Sequence, residues 1–421
     1  MTKSAGLLII KNSKVLLVKP RHMASDSNWS IPKGIIDIEA DGNIVETAIR
    51  ETYEETGILI PKDKVDFSKR SLISYVDSNG ILSKIIFYFV VEISDKEFNQ
   101  YRISSDFDSS EIETIAFFSA REARKKIYWK QQSVLNFIKP DSFCINELEL
   151  FIKLGYIYKV KHPVYPIWLY NITKKCKLHK IWNYTTLSCR GLILDDSGKI
   201  IARPFKKFFE RNEIYPEVLD LLSEPLHTTD KLDGALGVLY KYKDSYYICS
   251  KNNFNHYIGA LATDVFYNQL HHLFSKDLKE YTILFEVITL KNPFTVNYTG
   301  EDAIFPIAVV NNISAKNDFR KLEELEKLEK FDIISTSKEG VVEFYEDGTM
   351  IKEKLPDFMN EYRKLKNLKE INFFCNSDKI TGNILDRKKI IDHSNNNLLS
   401  NLMLFFSSEN IEYKKILMYW I

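Results

Sequence analysis

The stretch Arg50-Glu51-Thr52-Tyr53-Glu54-Glu55-Thr56-Gly57-Ile58 decides the fold of the first third of the chain. Its pattern predicts the end of a helix running from about Asn43 to Thr56, with Gly57 as the C-cap. On that helix Glu51, Glu54 and Glu55 stand at i, i+3 and i+4 and share one face. Three carboxylates so close repel one another unless a hard cation sits among them. An oxygen-only donor set on a rigid element suits Mg²⁺ or Mn²⁺, with substrate phosphate completing the shell. The bland alternative is a solvated acidic face. Ile44, Ala48 and Ile49 occupy the other side and are expected to pack inward.

Outward from this helix, Ala5–Ile10 and Lys14–Lys19 read as strands joined by a turn at Asn12-Ser13. Ile85–Ile93 and Glu113–Phe118 are further strand candidates. A basic, helical segment over 120–138 closes the unit, and Pro140-Asp141 marks a domain boundary. Trp29-Ser30-Ile31-Pro32-Lys33-Gly34 precedes the helix. This loop, the carboxylate motif and the flanking strands together resemble the Nudix hydrolase family over about residues 1–138. The resemblance implies an α/β/α sandwich in which a metal-activated water attacks phosphorus in a nucleoside diphosphate linked to another group. It implies Glu51, Glu54 and Glu55 as metal ligands, with Glu54 and Glu55 catalytic. One departure stands out. Arg50 follows Gly34 by 16 positions, two more than the family's usual interval. The family's first Glu then has no clean equivalent: Glu39 and Asp41 are candidates, and Gly42 takes the aligned place.

From Phe143 the rhythm changes. Strand-like runs recur at Gly191–Leu194, Leu236–Tyr240, Tyr246–Cys249, Ile283–Ile288, Ala303–Val310, Gly340–Tyr345 and Met350–Lys354, with a helical run over His256–Phe274. This is a mixed α+β pattern. Lys231-Leu232-Asp233-Gly234 is a weak motif alone, because such a Lys is usually an exposed turn residue. Its ordered companions lift it. Upstream stand Cys189-Arg190-Gly191-Leu192-Ile193-Leu194 and Arg203-Pro204-Phe205-Lys206-Lys207-Phe208-Phe209. Downstream come Ser250-Lys251, Leu284-Phe285-Glu286-Val287, Asn292-Pro293-Phe294, Glu339-Gly340-Val341-Val342 and Met350-Ile351-Lys352-Glu353-Lys354.

This order resembles the covalent nucleotidyltransferase superfamily and, within it, the phage T4 RNA ligase family, over roughly residues 143–360. The resemblance implies an ATP-grasp-like adenylation domain in which Lys231 attacks the α-phosphorus of ATP. It implies that Arg190, Lys207, Phe209 and Lys251 line the ATP and RNA-phosphate site. Glu286 would hold the nucleoside, Glu339 would bind metal or ribose, and Asp233 and Gly234 would shape the nucleophile loop. Lys352 and Lys354, two apart on a strand, share a face and would clamp the α-phosphate beside Lys231. Phe358 stands where the family is expected to show Tyr.

The expected whole is therefore an α+β multidomain protein. A Nudix sandwich (1–138) is followed by a nucleotidyltransferase domain (141–362) and a small helical C-terminal appendix (363–421). The charges nearly cancel, 58 Lys+Arg against 57 Asp+Glu, and the first 130 residues carry 19 of each. That balance excludes a protein that grips nucleic acid by bulk charge and directs attention to local sites. Arg203 and Lys206 join the predicted phosphate-gathering cations. Five widely spaced cysteines without a CxxC pair argue against a disulfide framework or zinc ribbon and for a reducing cytoplasm. No apolar run is long enough to cross a bilayer, and the N-terminus reads as a strand rather than a signal peptide.

The two resemblances together predict an RNA repair enzyme. It would use ATP and Mg²⁺ or Mn²⁺ to seal 5′-phosphate and 3′-hydroxyl RNA ends through lysyl-AMP and AppRNA. The Nudix half would cleave a nucleoside diphosphate linkage, at an RNA 5′ cap or in AppRNA. The alternative is a ligase regulated by a nucleotide-binding, non-catalytic Nudix module.

Overall fold

The computed structural model describes residues 1–21, 28–67, 69–104, 110–138, 140–271, 280–289, 295, 296, 298, 301–328 and 338–364. The expected appendix over 363–421 lies almost wholly outside them, as does the Asn292-Pro293-Phe294 block.

The first sheet contains β1 (Thr2–Lys11), β2 (Lys14–Pro20), β3 (Lys33–Ile35), β4 (Arg70–Val76), β5 (Leu82–Ile93) and β6 (Ile112–Ser119). Its order is β4-β5-β1-β2-β6, with β3 beside β1. β1 and β5 run parallel over their length, and the other pairs are antiparallel. Asn12 and Ser13 both take positive φ, 49° and 59°, the primed geometry that a two-residue hairpin turn needs. Alternate residues of β1 and β5 feed two cores. Leu7, Ile9, Phe87 and Phe89 pack toward Ile44, Val45, Ala48 and Ile49 of one helix. Leu8, Ile10, Ile86 and Tyr88 pack toward Ala123, Ile127 and Val134 on the opposite face. Burial on both faces explains the unbroken apolar run in β5. The result is the expected α/β/α sandwich.

Two short helices shape the long loop and the carboxylate segment. The extra residues fold into α1 (Ile38–Asp41), capped by Asp37. The second helix, α2 (Ile44–Thr56), starts at Asn43, whose side chain accepts from the N–H groups of Val45 and Glu46. It ends at Gly57, in the left-handed region at φ 72°. The predicted helix over 120–138 is broken. An α-helical turn, Ala120–Lys126, is followed by a 3₁₀ segment, Trp129–Phe137. The chain between them is extended because Lys126 O and Tyr128 N bond the backbone of Trp29. β3 and β4 were not anticipated.

The rest of the chain builds three four-stranded sheets. One orders β7 (Ile157–Lys161), β8 (Ile167–Ile172), β9 (Arg190–Asp195) and β10 (Ile200–Ala202) as β10-β9-β8-β7. The second joins β11 (Phe209–Glu210), β12 (His227–Lys231), β17 (Gly340–Phe344) and β18 (Met350–Lys354) as β11-β18-β17-β12. The third orders β13 (Ala235–Tyr242), β14 (Ser245–Ser250), β15 (Tyr281–Ile288) and β16 (Ala303–Asn311) as β14-β13-β15-β16. Leu169, Ile193, Val238, Leu284, Val342 and Phe344 form a core shared by all three. The helix expected over 256–274 runs Tyr257–Val265 and continues as a wider turn over Phe266–Leu270. Its Ile258, Ala262 and Phe266 cover the outer face of the third sheet. β7, β8, β10, β11 and β12 are additional to the predicted strands.

The two halves are joined by more than the linker. Ser74 N donates to Trp182 O at 2.8 Å, and Ser74 Oγ bonds Trp182 N and Lys180 O. Asn136 Nδ2 donates to Thr185 Oγ1 at 2.9 Å, and Thr185 Oγ1 donates to the buried Glu147 at 2.7 Å. Phe137 inserts between Tyr88 and Tyr184. Arg70 of β4 pairs with Asp347, in the turn between β17 and β18, and donates to Thr349 at 2.6 Å. Arg70 is largely buried, and desolvation pulls its pKa below the usual value. Removing one partner of such a pair leaves the other charge stranded, a loss of about 3 kcal/mol. Arg70→Ala is therefore expected to lower the thermal midpoint of the whole chain, and Arg70→Met with Asp347→Leu to recover most of it. Unfolding followed by circular dichroism checks this; an unchanged midpoint in Arg70→Ala would show that the interface contributes no stability.

Candidate active sites

The carboxylate helix carries the first site. Glu55 is buried, and its Oε2 accepts the backbone N–H of Lys33 at 2.9 Å. Burial pushes its pKa up to about 7, against the pull of Lys33; Glu51 and Glu111 push the same way. Burial also raises Glu51. Glu51 presses against the loop so closely that a Cβ at Gly34 would stand 1.7 Å from its Oε2. A side chain at position 34 would push the Glu51 carboxylate out of this place.

Arg50 organises the remaining acids. Its Nε and Nη2 bond Asp41 at 2.8 and 3.0 Å, and its Nη1 lies 2.9 Å from both Glu51 and Glu54. The guanidinium holds Asp41 below the usual carboxylate range. Of the candidates for the displaced first Glu, Asp41 joins this cluster. Glu39 is exposed, and Gly42 caps α1 at φ 82°.

Among the described residues no three His, Cys, Asp or Glu side chains are arranged to hold a metal ion. The predicted trio is shared between Arg50 and the Lys33 N–H instead. The donor set still fits a hard cation in type, being carboxylate oxygen throughout, with two members whose charge burial disfavours. Glu111, Lys33 and Lys84 were not predicted here. Glu111 acts on both Glu51 and Glu55, and Lys84 on Lys33 and Glu55. No local pattern marks Glu111 or Lys84; sheet pairing alone brings them in.

The second site lies on the β12-β17-β18 sheet. Lys231 ends β12 opposite Gly340, and its Nζ donates to Glu339. Lys354, opposite Gly340 on β18, reaches the other oxygen of Glu339 at 2.8 Å. One carboxylate thus holds both lysines. A Cβ on Gly340 would lie 1.9 Å from Glu353 O, so glycine is required between them. Lys352 stands 3.7 Å from Glu210. After Lys231 the chain turns through Asp233, whose Oδ2 accepts from the N–H groups of Thr295 and Val296 at 2.6 and 3.0 Å. Tyr298 Oη accepts from Asp233 N. Gly234 lets the loop lie against Glu286, with its N–H bonded to that carboxylate. Enclosure raises Glu286 to about 7, and the nearby Lys231 opposes the shift.

The other predicted cations converge. Burial lowers Lys251 and Arg190, and it lowers Lys207 to about 8. Lys352 and Arg190 depress Lys207 further, and Arg190 and Lys177 depress Lys251. These groups repel one another at close range, as expected of a site that receives a polyanion. Lys177 was not predicted; it lies outside the motif blocks. Lys207 Nζ sits 3.6 Å over the Phe209 ring. Phe358 is buried and stacks with Tyr362, and Lys354 lies over both rings. Arg203 corrects the prediction that it gathers phosphate. It is buried and spends its guanidinium on Asn312 O, Ile313 O and Tyr184 Oη. Lys206 leans over the same Tyr184 ring.

With this geometry in place, family comparisons identify both halves. Residues 1–137 match the model described as NUDIX domain, and residues 188–373 match that described as RNA ligase. The chain is a fusion of a NUDIX domain and an RNA ligase domain of the T4 type, and both being present marks a bifunctional protein. A comparison with curated proteins found no match. Similar solved structures include an Ap4A hydrolase binary complex from C. elegans, 20% identical, spanning 36% of this chain and 98% of that one, with a TM-score of 0.26. A NUDIX hydrolase from Nitrosomonas europaea is 20% identical over 30% of this chain and 76% of its own, with a TM-score of 0.23. A bifunctional NMN adenylyltransferase/ADP ribose pyrophosphatase from Francisella tularensis is 15% identical over 36% and 41%, with a TM-score of 0.26. Likenesses of this size say nothing about substrate. Among the described residues no helix is long and apolar enough to cross a membrane.

Glu286 yields a prediction about pH. Its folded pKa, about 7, exceeds the ordinary 4.5, so the folded state keeps a proton that the unfolded chain has lost between those values. Stability contributed by this group is present below pH 4.5 and lost as pH rises to 7. Glu286→Gln should therefore raise the melting midpoint of the nucleotide-free protein at pH 8 and change it little at pH 4.5. Equal shifts at both would show that the enclosed charge is not costly.

Proposed function

We propose that the chain is an ATP-dependent RNA ligase coupled to a NUDIX hydrolase acting on RNA 5′ ends, with domains at 1–138, 141–362 and 363–421. The observation that carries the ligase reading is the convergence of Lys231, Lys352, Lys354, Lys207, Arg190 and Lys251 around Glu286 and Glu339.

In this reading Lys231 gives up its proton to solvent as the Glu339 pair opens, since an ammonium has no lone pair. Nζ then attacks the α-phosphorus of ATP, a P–N bond forms and pyrophosphate leaves. Lys352, Lys354 and Lys207 face the charge that develops on phosphate oxygens. Glu286 and Phe209 hold the nucleoside, while Asp233 and Gly234 keep the loop at Lys231 in place. A 5′-phosphate oxygen next attacks the adenylyl phosphorus, the P–N bond breaks and AppRNA forms. A 3′-hydroxyl displaces AMP from AppRNA and joins the strands. Glu339 here, and Glu51, Glu54 and Glu55 in the NUDIX half, would hold Mg²⁺ or Mn²⁺, which would supply Lewis-acid stabilisation of phosphate charge.

The NUDIX half hydrolyses a nucleoside diphosphate linkage, in an RNA 5′ cap or in AppRNA. Either product carries the 5′-phosphate that the ligase consumes, and this chemical continuity supports the pairing. Glu54 and Glu55 are its catalytic carboxylates. A second reading, a nucleotide-binding NUDIX module that regulates ligation, is favoured by one observation: Arg50 engages Asp41, Glu51 and Glu54 at once.

Mass spectrometry of the full chain after incubation with ATP and Mg²⁺ is expected to show an AMP adduct that Lys231→Ala abolishes. No adduct with any nucleotide would sink the ligase reading. Glu54→Gln with Glu55→Gln is expected to remove hydrolysis of capped RNA or AppRNA while ligation persists. If the wild type hydrolyses neither, and the double variant alters ligation instead, the regulatory reading replaces the hydrolytic one.

A further inference from the structure

Beside its carboxylate site the NUDIX domain carries a basic and aromatic surface. Trp129 is 40% exposed at the start of the 3₁₀ segment. Its ring meets Tyr128 edge-on at 6.1 Å, and Tyr128 meets Tyr75 at 5.9 Å. Lys130 lies between them, 5.2 Å from the Tyr75 ring centre and 5.6 Å from that of Trp129. Lys126 projects over Trp29. The fold holds these groups in place: Gln131 is buried and bonds Tyr75 Oη at 3.1 Å, Ser30 and the Ile31 N–H.

Lys11, Lys19, Lys64 and Lys69 each pair with a carboxylate. Lys126 and Lys130 form no ion pair with any described carboxylate; aromatic faces are their partners. In a chain whose charges balance, cations without a carboxylate partner beside aromatic rings, with Trp129 exposed among them, suit a polyanion that also offers flat bases.

The surface extends toward the carboxylate site through Lys84. Tyr75 on β4 stands directly opposite Lys84 on β5, so the two side chains are neighbours on one sheet face. Lys84 in turn interacts with Lys33 and Glu55. The surface therefore runs from exposed Trp129 through Lys130 and Tyr75 to Lys84, whose charge is felt by the carboxylate Glu55.

We propose that Tyr75, Lys84, Lys126, Tyr128, Trp129 and Lys130 form a track for single-stranded RNA that leads a strand end into the NUDIX site. Tyr128 and Trp129 offer rings for stacking bases, and the three lysines neutralise successive phosphates. The track deepens the reading that the NUDIX half acts on RNA ends, and it makes a polynucleotide rather than a free nucleotide the preferred substrate.

Two measurements on the full chain test it. A 12-nucleotide 4-thiouridine RNA, irradiated with the protein, is expected to crosslink to the peptide containing Tyr128 and Trp129. Crosslinks confined to residues beyond 140 would overturn the track. This readout needs no turnover, so a crosslink without hydrolysis would fault the hydrolytic reading and leave the track standing. The second measurement compares KM for AppRNA with KM for ADP-ribose in Trp129→Ala and Lys130→Glu. The ratio of the two is expected to rise about tenfold in each variant, with the salt dependence for AppRNA reduced in Lys130→Glu. A ratio equal to the wild type's would overturn the proposal, because a merely structural role moves both constants alike.

Discussion

One carboxylate sets the geometry of the ligase half. Glu339 is buried at the edge of β17 and receives Lys231 from one neighbouring strand and Lys354 from the other. A buried carboxylate with a single cation, or two lysines with none, would be costly to enclose. The three together are satisfied only if β12, β17 and β18 pair in the observed register, with Gly340 leaving room for the Glu353 backbone. A slip of one residue would turn Lys354 to the other face and leave Glu339 short of a partner. The same interaction therefore fixes strand register and sets the candidate nucleophile beside its candidate phosphate clamp.

Sequence reading located most of this without reaching the register. Motifs whose residues are close along the chain were legible: the i, i+3, i+4 carboxylates, the two-apart Lys352 and Lys354, and the glycine cap at Gly57. Long apolar runs such as β5 were legible because both faces are buried. β12 was missed because His227–Lys231 contains no large apolar residue; its strand state comes from pairing with β17. The helix over 120–138 was misread because its periodicity ignores Trp29, a hundred residues away, which takes the hydrogen bonds at the break. Glu111, Lys84 and Lys177 entered the sites by the same route. Arg203 was misassigned for a different reason: a motif states which residue is present but not whether its charge faces a ligand or a backbone carbonyl.

The junction between the halves has its own logic. Arg70 and Ser74 lie on β4, the edge strand of the NUDIX sheet, and an unpaired edge is a liability. Here that edge is covered: Ser74 exchanges hydrogen bonds with Trp182, and Arg70 reaches the turn that joins β17 to β18. That turn connects the strand next to Glu339 with the strand bearing Lys352 and Lys354. The NUDIX domain thus buttresses the hairpin that carries Lys352 and Lys354, so the two domains are coupled mechanically.

The balanced charge of the chain also takes on a different meaning. Segregation into an acidic NUDIX site and a basic ligase site would satisfy the total of 58 against 57. Neither site is segregated. Arg50, Lys33 and Lys84 stand among the NUDIX carboxylates, and Glu286, Glu339 and Asp233 stand among the ligase cations. Both are mixed, because a cluster of one sign in a partly buried place raises its own free energy before any ligand arrives. Each site instead keeps its charges in internal pairs, Arg50 with its acids and Glu339 with its lysines. Arg190, Lys207 and Lys251 lie outside those pairs, and their mutual repulsion is the part of the ligase site's charge that the fold leaves uncompensated.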